Sequence, residues 1–165
     1  MTNSLKTSVL LLSFLVAVPA IAQEEVDDCT QLVESIRISS DGKVVSSENA
    51  LESRVYFKVV VRGTFEKEDI GFGDTAFGFN KRQDLTITRC HNDPVGVPFG
   101  VAIDLTGGTA TVPAWGKFNP KHVYSVEVIG RDRKAEFHYQ DCRPMANKGT
   151  LMADIYKCNR REKIR

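Results

Sequence analysis

The residues best spaced for chemistry lie toward the C-terminal end of the chain. Asp141 directly follows the segment K-A-E-F-H-Y, and six residues later come Asn147, Lys148 and Gly149, just ahead of T-L-M-A-D-I-Y. A carboxylate at a strand end, facing an Asn-x-Gly turn across a short loop, makes an oxygen cage. Hard cations such as calcium take carboxylate, amide and backbone carbonyl oxygens of this kind. The same spacing also suits a plain hairpin loop in which Asp and Asn act as turn formers. Catalytic patterns are missing elsewhere. There is no G-x-S-x-G and no H-E-x-x-H. Of the three histidines, His91, His122 and His138, the last two fall in predicted strands, where surface or satisfied positions explain them. Gly71 to Gly78 (GFGDTAFG) lacks the helix start and the G-K-[ST] of a phosphate loop, and reads as a strand start with glycine turns. No spacing singles out a carboxylate pair for glycoside hydrolysis.

The elements that must position these residues are short strands. Arg54 to Arg62 (RVYFKVVVR) alternates cleanly, with Val55, Phe57, Val59 and Val61 on one face. That period of two is the mark of a strand with one face on a core. His122 to Ile129 repeats it, with Tyr124, Val126 and Val128 inward. Lys134–Tyr139 and Thr150–Tyr156 follow, the latter with Leu151, Ala153 and Ile155 on one face. Further strands are predicted at Leu32–Ser39, Lys43–Ser47, Thr75–Asn80, Asp84–Arg89, Val101–Leu105 and Thr109–Val112. Turn signals such as Asp41-Gly42, Gly107-Gly108 and Asn119-Pro120 separate them. Eight to ten short strands without a long amphipathic helix predict an all-β fold, an antiparallel sandwich or barrel in one domain.

The N-terminus carries Lys6, an apolar run from Val9 to Val18, Pro19, and then Ala20-Ile21-Ala22. This is the order of a secretory signal peptide at residues 1–22. The run is about half the length a membrane-spanning helix needs. Cleavage after Ala22 would leave 143 of the 165 residues, one ordinary domain over 23–158 with a basic tail at 159–165. Lys+Arg 22 against Asp+Glu 21 gives no charge excess with which to seek nucleic acid or an acidic membrane surface. A secreted or periplasmic address predicts that Cys29, Cys90, Cys142 and Cys158 form two disulfides. Three pairings are possible. Cys29 with Cys158, clamping the ends, and Cys90 with Cys142 inside is the one their positions favour. No C-x-x-C is present for metal or redox chemistry.

From Tyr124 to Ile155 the chain reads Y-x-V-x-V-x-G, then F-x-Y-x-D, then N-x-G-T-L-x-A-x-I-Y. Upstream, Val55–Thr64 ends a strand in Gly-Thr, Asp74-Thr75-Ala76-Phe77 gives an Asp-Ala-aromatic segment, and Trp115-Gly116-x-Phe118-Asn119-x-x-His122 leads into the next strand. This pattern resembles the calcium-dependent, jelly-roll, galactose-binding-like domains of secreted bacterial proteins, similar to the PA-I galactophilic lectin. The resemblance implies a jelly-roll β-sandwich with calcium near Asp141 and Asn147. It also implies a further oxygen from the loop after Gly-Thr, where Glu66, Glu68 and Asp69 lie. The position before Asn147 is Ala146, and the loop also holds Cys142, so a disulfide there offers a second fastener.

These readings converge on a secreted, non-catalytic module that binds carbohydrate or another cell-envelope component. Trp115, Asp74 and His122 are the candidate ligand contacts, and Asp141, Asn147, Glu68 and Asp69 the candidate metal ligands. Trp115 can stack on a sugar, anchor an interface or fill the core. The alternative is a protein-interaction or protease-inhibitor-like domain binding an extracellular protein, for which Val95 to Gly100 (VGVPFG), with Pro98 and Phe99, reads as an exposed apolar loop.

Overall fold

The structure is a computed structural model that describes residues 28–67, 71–87, 99–141 and 146–161. The signal-peptide segment, Cys90, Cys142, Glu68, Asp69, His91 and Val95–Pro98 lie outside the described residues, and so does the expected Cys90–Cys142 disulfide. The chain is all-β, with no α-helix among the described residues. In order the strands are β1 (Gln31–Ser39), β2 (Val45–Leu51), β3 (Val55–Arg62), β4 (Phe65–Lys67), β5 (Gly71–Gly73) and β6 (Gly78–Phe79). There follow β7 (Leu85–Ile87), β8 (Gly100–Asp104), β9 (Val123–Ile129), β10 (Arg133–Gln140), β11 (Asn147–Lys148) and β12 (Thr150–Arg161).

They make three antiparallel sheets, β1-β12-β3-β9, β2-β10-β8 and the small β11-β4-β5-β6-β7. The first two turn their apolar faces to one shared core, the layering of a β-sandwich. Val55, Phe57, Val59 and Val61 of β3 are all buried, and so are Leu151, Ala153 and Ile155 of β12. Ala135, Phe137 and Tyr139 of β10 meet them from the other sheet. Period-two alternation drives this packing, since each fully buried Val, Leu, Ile or Phe contributes about 1.5–3 kcal/mol. Cys29 and Cys158 are joined as expected, bridging 129 residues at the start of β1 and the end of β12. A disulfide accords with an oxidising compartment. No helix is long and apolar enough to cross a membrane among the described residues.

Several sequence expectations shift. Thr109–Val112 is not a strand; only Thr111 makes an isolated bridge, to Ile103. Thr75–Asn80 is split, because Asp74–Phe77 forms the turn of a hairpin between β5 and β6. Asn147-Lys148 is not a turn but the short strand β11, paired to β4. Phe99 is buried rather than exposed, edge-on to the Tyr139 ring at 5.4 Å.

Candidate functional site

The small sheet lies beside the sandwich and positions the polar chemistry. Its glycines let strands approach closely: a Cβ at Gly73 would lie 2.3 Å from the Phe65 ring. The β5–β6 turn is held by Asp74. The backbone N–H of Asp74 donates to Phe77 O at 2.9 Å. Its Oδ1 accepts from the N–H groups of Ala76 and Phe77 at 2.9 and 2.8 Å. Short polar side chains form such local turns readily.

The other oxygen of Asp74 organises a second element. Oδ2 lies 2.8 Å from His122 Nδ1 and accepts from Tyr124 Oη at 2.7 Å. The carboxylate is fully buried, and the His122 side chain is 12% exposed. His122 is not in a strand: it precedes β9 with φ of 52°, in the left-handed region that non-glycine residues seldom adopt. Its N–H donates to Asn119 O at 2.8 Å and its carbonyl accepts from Gly63 at 3.1 Å. Phe79 stacks on the ring at 4.6 Å between centroids. Backbone strain held by this many partners is the kind found at functional sites. In the tautomer that donates Nδ1–H to the carboxylate, Nε2 is the free acceptor of the ring.

His122 lines a cleft of about 470 Å³ together with Thr64, Phe72, Phe79, Lys81 and Gln83. A second cleft of about 450 Å³ lies across Phe72, lined by Glu66, Lys67, Lys81 and Lys148. Phe72 and Lys81 belong to both. Phe72 is half-buried and stacks on Phe79 at 5.9 Å. Both volumes suit a small ligand, and the mixture of one aromatic wall with amide, hydroxyl and imidazole groups suits a polar one.

Two tyrosines near this site are held neutral far into the alkaline range. Burial pushes the Tyr124 phenol up, and the charge and hydrogen bond of Asp74 add to it. Burial does the same to Tyr139, with the Asp141 and Asp74 charges adding. In the unfolded chain a phenol ionises near pH 10. Above that the folded state keeps protons that the unfolded state has lost, so this contribution is complete below about pH 10 and falls as pH rises further. Thermal midpoints measured from neutral to alkaline pH should drop past about pH 10, and Tyr139→Phe should flatten the drop. The Tyr139 hydroxyl has no hydrogen-bond partner. Its removal should therefore leave neutral-pH stability unchanged or raised. A loss of stability at neutral pH in Tyr139→Phe would contradict this.

Asp141 and Asn147 do come together, with Asn147 Nδ2 donating to Asp141 Oδ2 at 2.9 Å. The same oxygen forms a buried ion pair with Lys67. This donor set does not fit a hard divalent cation, because an amide N–H and an ammonium already approach the carboxylate. The Asn147 Oδ1 atom has no hydrogen-bond partner. Among the described residues, the only group of three acidic, imidazole or thiol donors is Asp28 with Cys29 and Cys158, and the two cysteines are spent in the disulfide.

Of the candidate ligand contacts, Asp74 and His122 are joined and Trp115 lies apart from them in function. Trp115 is 6% exposed in the core, its indole N–H donating to Val101 O at 3.0 Å, which leaves no open face for stacking. Lys67, Phe72, Phe79, Lys81 and Gln83 escaped the sequence reading. In β4 the burial alternates over Phe65-Glu66-Lys67, which puts the lysine on the inward face beside Phe65. Comparison of the chain with protein-family models, with characterised proteins and with solved structures finds no match.

Proposed function

We propose that this protein is a secreted, jelly-roll-like module that binds carbohydrate or another envelope component at the cleft beside His122, without catalysing a reaction. The observation that carries this reading is the convergence on one cleft of a half-buried aromatic ring, Phe72, with an imidazole whose orientation Asp74 fixes. Polyhydroxylated ligands need both kinds of surface. Their C–H faces pack on aromatic rings, and their hydroxyls need rigid donors and acceptors. Thr64 and Gln83, both exposed on the same wall, supply more of the latter. Of the apolar loop that the protein-interaction alternative rests on, Phe99 is core, and Val95–Pro98 lie outside the described residues.

Glycan arrays followed by calorimetric titration test the reading. The protein should bind a defined glycan, and Phe72→Ala should weaken it at least about tenfold, the usual cost of removing a central aromatic contact. The variant's melting point should show that it is folded. Blank arrays with envelope polysaccharides, or a Phe72→Ala variant that binds unchanged, would remove the reading.

A further inference from the structure

The loop to which the resemblance assigns calcium is fastened by a lysine. Lys67 ends β4 at an inward-facing position, with a side chain only 5% exposed. An ammonium there must find a counter-charge or give up its proton. Its Nζ meets Asp141 Oδ2, and the Asp141 side chain is fully buried. Asn147 stands directly opposite Lys67 in the β4–β11 register. The Asn147 Nδ2 donates 2.9 Å to Asp141 Oδ2 and 2.9 Å to the carbonyl of Ser40. Ser40 in turn is tied by its N–H and its hydroxyl to Gly149 O, at 3.2 and 2.9 Å. The Lys67 ammonium also lies 5.6 Å from the centre of the Phe99 ring, whose face attracts cations.

One positive group thus joins three places at once: the end of β10, the edge strand β11 and its neighbour β4. A bound calcium ion joins chain segments in the same way, but it needs about 6–8 oxygens around it. Here an amide turns its N–H side to the carboxylate, and an ammonium takes the position a cation would claim. A divalent ion would have to enter against the charge of Lys67.

We propose that Lys67 is a built-in substitute for the cation, so that the native fold neither needs nor binds calcium at Asp141. This holds whether or not the neighbouring cleft takes carbohydrate.

The test uses the mature, oxidised protein. Melting curves are recorded with millimolar calcium and with a chelator, for the natural chain, Lys67→Met, and Lys67→Met combined with Asp141→Leu. Calcium and chelator should leave the natural chain's midpoint unchanged, and equilibrium dialysis should find no bound calcium. Lys67→Met should lower the midpoint by about 10 °C or more, because it removes the cation that neutralises a buried carboxylate. The double variant, which removes both charges, should recover much of that loss. If Lys67→Met does not fold, the double variant and the calcium titration decide. A calcium-dependent rise in the natural chain, abolished by Asp141→Asn, would overturn the proposal. So would a double variant no more stable than Lys67→Met.

Discussion

Replacing Cys29 and Cys158 together with alanine is expected to cost about 2–5 kcal/mol of stability. The disulfide bridges 129 residues. In the chain-entropy description, a loop of that length withholds about 5 kcal/mol of freedom from the unfolded state, and native-state adjustments reduce what is measured. The native side should change little. Both residues are buried at the edge of the core. The chain beside them is also held by the β1–β12 ladder, and Asn159 N–H continues it to Asp28 O at 3.0 Å. Most of the effect therefore belongs to the unfolded chain. That makes a second expectation: without the cross-link the unfolded chain exposes more surface, so the denaturant slope should rise as the midpoint falls. Urea titration of the oxidised natural chain and the double variant measures both. A loss below about 1 kcal/mol would contradict the entropic argument, as would an unchanged slope.

Asp74→Ala is expected to cost about 3–5 kcal/mol, through the loss of four hydrogen bonds to one buried carboxylate. Two backbone N–H groups, an imidazole and a buried phenol would lose their acceptor together. The damage would not stop at the turn. Tyr124 Oη also accepts from Asn119 N–H at 3.1 Å, so the segment from Asn119 to His122 is tied to Asp74 through it. Asp74→Asn should be milder, at about 1–2 kcal/mol. Its carbonyl can keep the two backbone donors, and its NH₂ can donate to the Tyr124 oxygen or to the other histidine tautomer. Chemical denaturation of the two variants measures the difference. Equal losses would mean that the amide recovers none of these hydrogen bonds and that the charged carboxylate carries the whole effect. The same pair bears on function: Asp74→Asn should disturb His122 at the cleft while leaving the sandwich folded.

The sandwich was legible because alternation is a local signal. Val55, Phe57, Val59 and Val61 announce an inward face in the sequence, and the structure buries all four. The end-to-end disulfide followed from where Cys29 and Cys158 fall. The small sheet was harder. Its strands are two or three residues long, too short for period two to register against turn signals. GFGDTAFG therefore yielded glycine turns, but not a hairpin with Asp74 at its head. Asp74 and His122 are both candidate contacts by sequence, yet their contact spans 48 residues, and nothing in the spacing shows it. The alternation of its neighbours predicts a strand at His122; its left-handed backbone depends on long-range partners. Trp115 lies between strands, as Pro113 and Gly116 around it imply, and of its three readings the packing selects the core. Lys67 carries no motif of its own in the sequence: a lysine at an inward position is rare unless paired, and its pairing with Asp141 spans 74 residues.

The most direct test of the proposed binding site is a titration followed by the backbone amide signals in nuclear magnetic resonance. The protein is titrated with the glycan that binds it best on an array. Shifts should concentrate at Thr64, Phe72, Lys81, Gln83 and His122, along the cleft wall. The β2-β10-β8 sheet should stay still. Shifts gathered on another face, or none at saturating glycan, would contradict a carbohydrate site beside His122.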